Sequence, residues 1–212
     1  MKDIHYWDEF YKTDPPINHP SDFAKSVLKY MQKGNSVVDL GCGNGRDSIY
    51  FAEYGLKVLG VDSSRTAIDY AKKTSSKNIE YFCCDFINNS QLYSRTYDFF
   101  YSRFTLHAIS EENQSTLLRN VYNNLSYGGL FFIEVRGTKD DIFGKGEPAG
   151  RNAYIYNGHF RRFIVYEEIV AELGHNGFGI IYSEESRGFA KFDNEDPIVI
   201  RVIAKNRNNQ AK

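Results

Sequence analysis

The sequence has little net charge and no long apolar run, and each absence excludes a class of protein. Its 212 residues include 26 Lys and Arg against 27 Asp and Glu, for a formal net charge of −1. A protein that binds many phosphates usually carries a basic field. We therefore expect no nucleic-acid partner. No apolar run approaches the length of a transmembrane helix, so we expect no membrane partner either.

Cysteine is also scarce. The three cysteines are Cys42, Cys83 and Cys84. Adjacent cysteines rarely bridge each other, and this spacing is not that of metal ligands. The first residues, MKDIHYWDEFYK, are charged and aromatic, unlike a signal peptide. These features predict reduced thiols in a cytoplasmic protein without a metal site.

What the sequence does contain is an alternation of short apolar strands and helical patterns. The length and the 42% hydrophobic content predict a single domain over residues 1–212. Strands are predicted at 36–40, 57–61, 79–83, 97–101 and 130–135, and helices at 21–31, 47–53, 64–73 and 111–125. This order predicts an α/β fold, with a mostly parallel sheet covered by helices on both faces.

The alternation breaks after the fifth strand. Residues 137–163 are rich in Gly, Pro, Asn, Tyr and Arg. A connection this long inside a domain is usually functional, and we expect an inserted flap on the acceptor side of a site. A helix at 166–173 and strands near 180–183 and 198–204 follow, which brings the sheet to seven strands.

The strongest motif is VVDLGCGNGR at 37–46. A buried strand runs into Gly41, Gly43 and Gly45, and a helix follows. Glycines let the backbone turn sharply and approach a ligand closely. The spacing G-x-G-x-G differs from the dinucleotide fingerprint G-x-G-x-x-G, which disfavours an NAD-dependent dehydrogenase.

This motif resembles the first motif of the class I S-adenosylmethionine (SAM)-dependent methyltransferases. The resemblance covers roughly residues 21–135 and implies a Rossmann-like fold. Asp62 matches the acidic residue that holds the ribose hydroxyls, and Asp85, followed by Phe86, matches the residues at the adenine. The implied cofactor site comprises Asp39, Gly41, Cys42, Gly43, Gly45, Arg46, Asp62, Ser63, Asp85, Phe86 and Ser102.

The resemblance implies an enzyme that uses SAM and releases S-adenosylhomocysteine. The sequence separations Asp39–Asp62 and Asp62–Asp85 are equal, as one βα unit per carboxylate requires. The three carboxylates should therefore meet at the carboxyl edge of adjacent strands, where open α/β sheets bind ligands.

Residues just past the fourth strand face the methyl acceptor in this family. The sequence has neither the N/D-P-P-Y/F motif of amino-group methylation nor the Pro-Cys of cytosine methylation; it has Arg103 and His107 instead. His107 is our candidate general base, since its ordinary pKa lies near working pH. Alternatively, it caps the following turn or contacts the adenosine.

The insertion contains RNAYIYNGHFRR, which has no acidic residue. Arg side chains bind carboxylate and phosphate through a bidentate fork. The predicted acceptor-binding residues are Arg103, Arg136, Tyr154, Tyr156, His159, Arg161 and Arg162. A merely solvated basic hairpin is the alternative. The aromatic residues within 1–20 could likewise form a lid over the cofactor or an aromatic contact on the sheet edge.

We therefore predict a SAM-dependent methyltransferase, monomeric or homodimeric, acting on a small, phosphate- or carboxylate-bearing molecule. A weaker resemblance to bacterial enzymes of surface-polysaccharide modification would favour O-methylation. An RNA or protein methyltransferase and a non-catalytic SAM-binding protein remain alternatives.

Overall fold

The computed structural model describes residues 4–13, 19–75, 79–192 and 195–208. The helices are α1 (Ile4–Thr13), α2 (Asp22–Val27), α3 (Arg46–Tyr54), α4 (Arg65–Thr74), α5 (Glu111–Asn124) and α6 (Tyr166–His175). The strands are β1 (Ser36–Leu40), β2 (Lys57–Asp62), β3 (Glu80–Cys83), β4 (Tyr97–Arg103), β5 (Leu125–Arg136), β6 (Glu147–Gly150), β7 (Ala153–Tyr156), β8 (His159–Arg162), β9 (Phe178–Ser186) and β10 (Val199–Asn206).

Seven of these strands form one sheet in the order β3-β2-β1-β4-β5-β10-β9. The first five run parallel, and β10 is antiparallel to both of its neighbours. The predicted Rossmann-like, mostly parallel seven-stranded sheet is confirmed. Its order reverses between β1 and β4, so the carboxyl ends of those strands border the crevice where such sheets bind ligands.

Helices cover both faces of the sheet because alternate strand residues point to opposite sides. Val38 and Phe100 pack on the side of α5 and α6, whereas their neighbours Val37 and Phe99 pack on the side of α2 and α3. None of the described helices is both long and apolar enough to cross a bilayer.

The end of α5 differs from the sequence prediction. The helix was expected to reach Leu125 before Gly128 and Gly129, but it ends at Asn124 and β5 already begins at Leu125. The Asn206 side chain donates a 2.6 Å hydrogen bond to the Leu125 carbonyl. A Cβ at Gly129 would lie 2.6 Å from the Asp98 carbonyl oxygen, so this glycine permits a close strand contact. Long-range pairing thus overrides the local helical pattern.

The insertion leaves the main sheet at Gly137 and returns to it at Ile164, where the two residues form a parallel bridge. Between them, β6, β7 and β8 form a second, antiparallel sheet. We call the segment 137–163 the flap.

Candidate cofactor and acceptor site

The glycine loop joins β1 to α3 at the carboxyl edge of the sheet. Gly41, Gly43 and Gly45 all have positive φ angles, between 53° and 80°. A Cβ at Gly41 would lie 2.7 Å from Thr105 Oγ1, and one at Gly45 would lie 2.5 Å from the Tyr81 hydroxyl. Side chains are therefore excluded here both by backbone conformation and by space.

Two carboxylates lie beneath and beside this loop. Asp39 is buried and accepts a 2.6 Å hydrogen bond from Ser48 Oγ. Burial, reinforced by the nearby Asp47 carboxylate, raises the pKa of Asp39 to about 7. Asp62 accepts 2.9 Å bonds from the backbone N–H groups of Gly43 and Ser64, one at each oxygen. Burial raises the pKa of Asp62, and these N–H groups oppose that shift.

The other predicted residues on this side occupy different environments. Asp85 is exposed, and its carboxylate accepts a 3.0 Å bond from the Ile87 N–H. Ser63 lies between β2 and α4, and its carbonyl faces the Cys83 thiol at 3.6 Å. Cys42 is buried in the glycine loop. Asp85 thus stays open to a ligand, whereas the Cys42 side chain lies largely out of reach.

Two predicted cofactor residues are buried within the protein body. Phe86 packs in the core on the α5 side, rather than beside an open adenine surface. Ser102 is fully buried in β4, and its Oγ has no hydrogen-bond partner among the described residues. Neither side chain reaches a ligand at the loop directly.

Helix α1 covers the loop from the outside. The Tyr11 hydroxyl lies against Gly43, where a Cβ would overlap it. Asp8 accepts a 2.5 Å bond from Ser64 Oγ and thereby fastens α1 to the start of α4. Burial raises the pKa of Tyr11, and the nearby Asp62 carboxylate adds to the shift.

This edge of the sheet fits a ligand with vicinal hydroxyl groups. The Asp62 oxygens accept hydrogen bonds from backbone N–H groups, and carboxylate oxygens have capacity to accept more than one hydrogen bond each. The glycines beside it present backbone without side chains. The Asp62 carboxylate, as a hydrogen-bond acceptor, suits the ribose of SAM. The glycine loop, which presents backbone without side chains, suits its amino-acid part. Within residues 4–13, 19–75, 79–192 and 195–208, no three His, Cys, Asp or Glu side chains are grouped so that they could hold a metal ion.

On the acceptor side, a buried carboxylate positions the first predicted arginine. Glu134 accepts a 2.8 Å bond from Arg103 and a 2.7 Å bond from Arg201. The Arg103 guanidinium lies over the Phe104 ring, 4.3 Å from its centroid. Phe104 has a φ of 56°, an unfavourable conformation for a bulky residue. Such strain concentrates at functional sites.

A cleft of about 230 Å³ opens on one side of Phe104. Three arginines line it: Arg46, Arg103 and Arg136. Arg136 is engaged by carboxylates, since it bonds both oxygens of Asp140 and one of Glu195 at 3.0 Å. Among the residues described, the salt bridges include neither Arg46 nor Arg161.

His107 is in contact with Phe104 but is not among the residues that line this cleft. It sits in the 3₁₀ turn Leu106–Ala108, is 4% exposed, and stacks on the Phe104 ring at 5.6 Å. Its Nδ1 has no partner among the described residues. Burial lowers the pKa of His107 well below its ordinary value, and the charge of Arg161 lowers it further.

The flap register separates its side chains onto two faces. β7 pairs with β8 as Tyr154 with Arg161 and Tyr156 with His159. Cross-strand partners point to the same side, so these four residues share one face, as the Tyr alternation predicts. His159 on this face lies 6.1 Å from His107, measured between ring centroids.

Arg162 points to the opposite face. Its guanidinium donates to the carbonyls of Ile109 and Leu106 at 3.0 and 3.3 Å and to Gln114 Oε1 at 2.5 Å. The side chain is buried. This geometry is that of a residue that holds the turn carrying His107, not of one that faces a ligand.

Sequence reasoning missed Phe104, Thr105 and Asp8, and it named Tyr11 only as one of the aromatic residues of a possible N-terminal lid. Thr105 Oγ1 donates a 2.7 Å bond to the Leu40 carbonyl and fixes the chain beside Gly41. The aromatic N-terminal segment was a usable signal for Tyr11. The positive φ of Phe104 left no signal in the residue type, because a bulky residue rarely adopts it.

Comparisons with known proteins find methyltransferases among the similar sequences and structures. Residues 37–129 match the family model described as a methyltransferase domain. The chain is 27% identical over 138 residues to the probable SAM-dependent methyltransferase TehB of Haemophilus influenzae, covering 65% of this chain and 46% of that protein. It is 35% identical over 104 residues to the cypemycin N-terminal methyltransferase of a Streptomyces species, covering 48% and 42%. The chain thus spans less than half the length of these two curated relatives.

The solved structures with a similar fold include a SAM-dependent methyltransferase from Anabaena variabilis. It superposes with a TM-score of 0.72 at 20% identity and covers 96% of this chain and 93% of that one. At this identity the likeness concerns the fold alone. On the family match over residues 37–129, the relatives and the sheet order together, the chain is similar to the class I SAM-dependent methyltransferases, whose cofactor is SAM.

Proposed function

We propose that the protein transfers the methyl group of SAM to a small molecule that carries negative charge. The single observation that carries this proposal is Arg161, a partly buried residue whose Nε is buried without a partner and which forms no salt bridge among the described residues. Burying an uncompensated charge is costly unless a ligand pairs with it. Arg161 belongs to the same cluster as His107 and His159.

On the cofactor side of the proposed site, hydrogen bonds within the chain hold the Asp62 and Asp85 carboxylates in place. Bound SAM supplies an electrophilic methyl group on a sulfonium. Asp62 would accept hydrogen bonds from the ribose hydroxyls, and Asp85 one from the adenine amino group. Arg46, which lines the cleft at the start of α3, would pair with the carboxylate of the methionine part. The three glycines allow the backbone to approach the ligand closely.

His107 is the proposed general base. Its lowered pKa keeps the imidazole neutral at working pH, so that a ring nitrogen can accept the proton of an acceptor hydroxyl. With SAM bound, its sulfonium would supply the methyl group to the acceptor oxygen and leave as the thioether, and His107 would take up the proton that the hydroxyl releases. An acceptor anion at Arg161 would offset part of the positive charge that weakens this base.

Arg161 and His159 would hold the acceptor, while Arg162 is left out of the proposed binding site. Arg103, Arg136, Tyr154 and Tyr156 would form its walls. We infer a small molecule rather than RNA or protein because His107 and His159 are each only 4% exposed. A polymer would need an open groove at these atoms. No contact in the site favours a sugar, so the proposal does not extend to polysaccharide modification.

The test is release of S-adenosylhomocysteine from SAM across a panel of anionic metabolites, each paired with a neutral analogue. We expect turnover with an anionic member and a large loss with its neutral partner, because Arg161 would remain unpaired. Equal turnover on both partners would contradict the anionic acceptor. SAM binding without turnover on any tested metabolite would favour a non-catalytic binding protein.

A further inference from the structure

The hydrogen bond between Arg161 and His159 fixes which ring nitrogen of His159 carries its proton. Arg161 Nη2 lies 3.1 Å from His159 Nδ1. A guanidinium only donates hydrogen bonds, so Nδ1 accepts and the proton of the neutral ring resides on Nε2. His159 Nε2 is buried, and it has no acceptor among the described residues.

Arg161 provides a second hydrogen-bond donor that is buried without an acceptor among the described residues. Its Nε–H is buried without a partner in the described part of the chain. Arg161 and His159 are two residues apart on β8 and share one face of the flap. Two buried N–H groups on one face of β8 thus lack acceptors among the described residues, and such groups in native proteins are nearly always satisfied.

Arg161 carries the one positive charge of this pair, and the Asp140 and Glu195 carboxylates lie near enough to act on it. The titratable and charged groups that face His159 are Tyr6 from α1, Arg161 from β8, His107 from the turn after β4, and Arg136 from the end of β5. Arg136 is already paired with two carboxylates. Burial and the two arginines lower the pKa of His159 to about 4, so this ring stays neutral.

We propose that the acceptor carries a carboxylate, whose two oxygens accept hydrogen bonds from Arg161 Nε–H and His159 Nε2–H. This inference rests on the proposed function and specifies its substrate class. Two adjacent donors and one full charge match the two oxygens and single charge of a carboxylate. A phosphate monoester carries about 1.5 to 2 negative charges and three acceptor oxygens, more than this pair can satisfy.

The aromatic neighbours of the His159 ring indicate what kind of group the carboxylate is attached to. Tyr6 stacks on it at 4.6 Å between centroids, and Trp7 meets it edge to face at 4.9 Å. These rings add an apolar wall beside the donors, which suits a carboxylate attached to an apolar or aromatic body.

Trp7 makes the proposal measurable, because it is the single tryptophan of the chain. Its fluorescence reports on the surroundings of His159 and of the aromatic residues of α1, so SAM is kept saturating throughout. The probes are benzoate, benzamide and phenyl phosphate, added at millimolar concentration to the full chain in the presence of saturating SAM. We expect a saturable change with benzoate, at least about tenfold weaker binding of benzamide, and no gain with phenyl phosphate.

Two variants assign the response to the two donors. His159→Phe keeps a ring against Tyr6 but removes Nε2–H, and Arg161→Met removes the charge and Nε–H. Each should weaken benzoate binding by about tenfold or more. Arg151→Ala is the matched control: Arg151 is exposed on the same flap and is already paired with Glu111 and Glu168. It should leave benzoate binding unchanged.

The carboxylate assignment is overturned by equal binding of benzoate and benzamide, by phenyl phosphate binding about tenfold more tightly than benzoate, or by no response to benzoate. Calorimetric SAM binding and release of S-adenosylhomocysteine are measured separately. If they persist while the benzoate result fails, the substrate class is wrong and the methyltransferase proposal stands. If both fail, the proposed function fails with it.

Discussion

The two sides of the site differ in how the chain satisfies its own polar groups. On the cofactor side, both Asp62 oxygens have backbone donors and Asp39 has Ser48. On the acceptor side, His107 Nδ1, His159 Nε2 and Arg161 Nε are buried without partners among the described residues. The two carboxylates of the cofactor side thus have partners within the chain, whereas these three nitrogens on the acceptor side, like Ser102 Oγ in β4, have none among the described residues.

Removing the proposed base should have the largest effect. His107→Ala is expected to lower kcat by about 10²–10⁴-fold, the usual value of general-base assistance. SAM affinity should stay near that of the wild type, because the cofactor contacts proposed here do not involve this side chain. Steady-state kinetics and calorimetry measure the two quantities separately. A kcat loss below about threefold would mean that positioning alone accounts for the rate.

Arg161 and Arg162 are neighbours on β8 whose side chains point to opposite faces, so they test the proposed division between ligand binding and structural support within one strand. Arg161→Ala should raise the acceptor KM by about ten- to a hundredfold, as expected for loss of a charge-assisted contact worth about 1.5–3 kcal/mol. Thermal stability should change little. Arg161→Lys should restore binding only in part, because an ammonium does not reproduce the guanidinium fork.

Arg162→Ala should behave in the opposite way. Its loss leaves the carbonyls of Leu106 and Ile109 without their buried donor, at a cost of about 1–3 kcal/mol in the free energy of unfolding. Urea unfolding measures this change, and any effect on activity should follow from movement of the His107 turn. If Arg162→Ala raised the acceptor KM without a stability loss, our division of roles between the two arginines would be reversed.

The same contrast explains how much could be read from the sequence. The succession of strands and helices and the glycine loop follow from local patterns, and the family resemblance together with the equal spacing of the carboxylates placed Asp62 and Asp85 in advance. The division between Arg161 and Arg162 depends on the β7–β8 register. The burial of Phe86 depends on packing against distant helices. Neither residue type nor spacing encodes these contacts.

The smallest expected effect concerns pH. His159 has a pKa of about 4 in the folded chain, below its ordinary value of 6.5. The unfolded chain therefore binds more protons on acidification, and this contribution to stability is complete above about pH 6.5 and is lost as the pH falls toward 4. His159→Phe lacks the group and should show a shallower loss, by at most about 1.4 kcal/mol per pH unit. Urea unfolding at several pH values tests this. Parallel slopes for the two proteins would mean that His159 titrates normally.

The central claim is that the sheet edge at Asp62 binds SAM, and calorimetric titration of the wild type and Asp62→Ala with SAM tests it most directly. We predict that SAM binds the wild type and that NADH does not bind appreciably. Asp62→Ala should lose about ten- to over a hundredfold in SAM affinity, since a charged acceptor worth about 1.5–3 kcal/mol is removed. Unchanged SAM affinity in Asp62→Ala, or comparable binding of NADH by the wild type, would contradict the account.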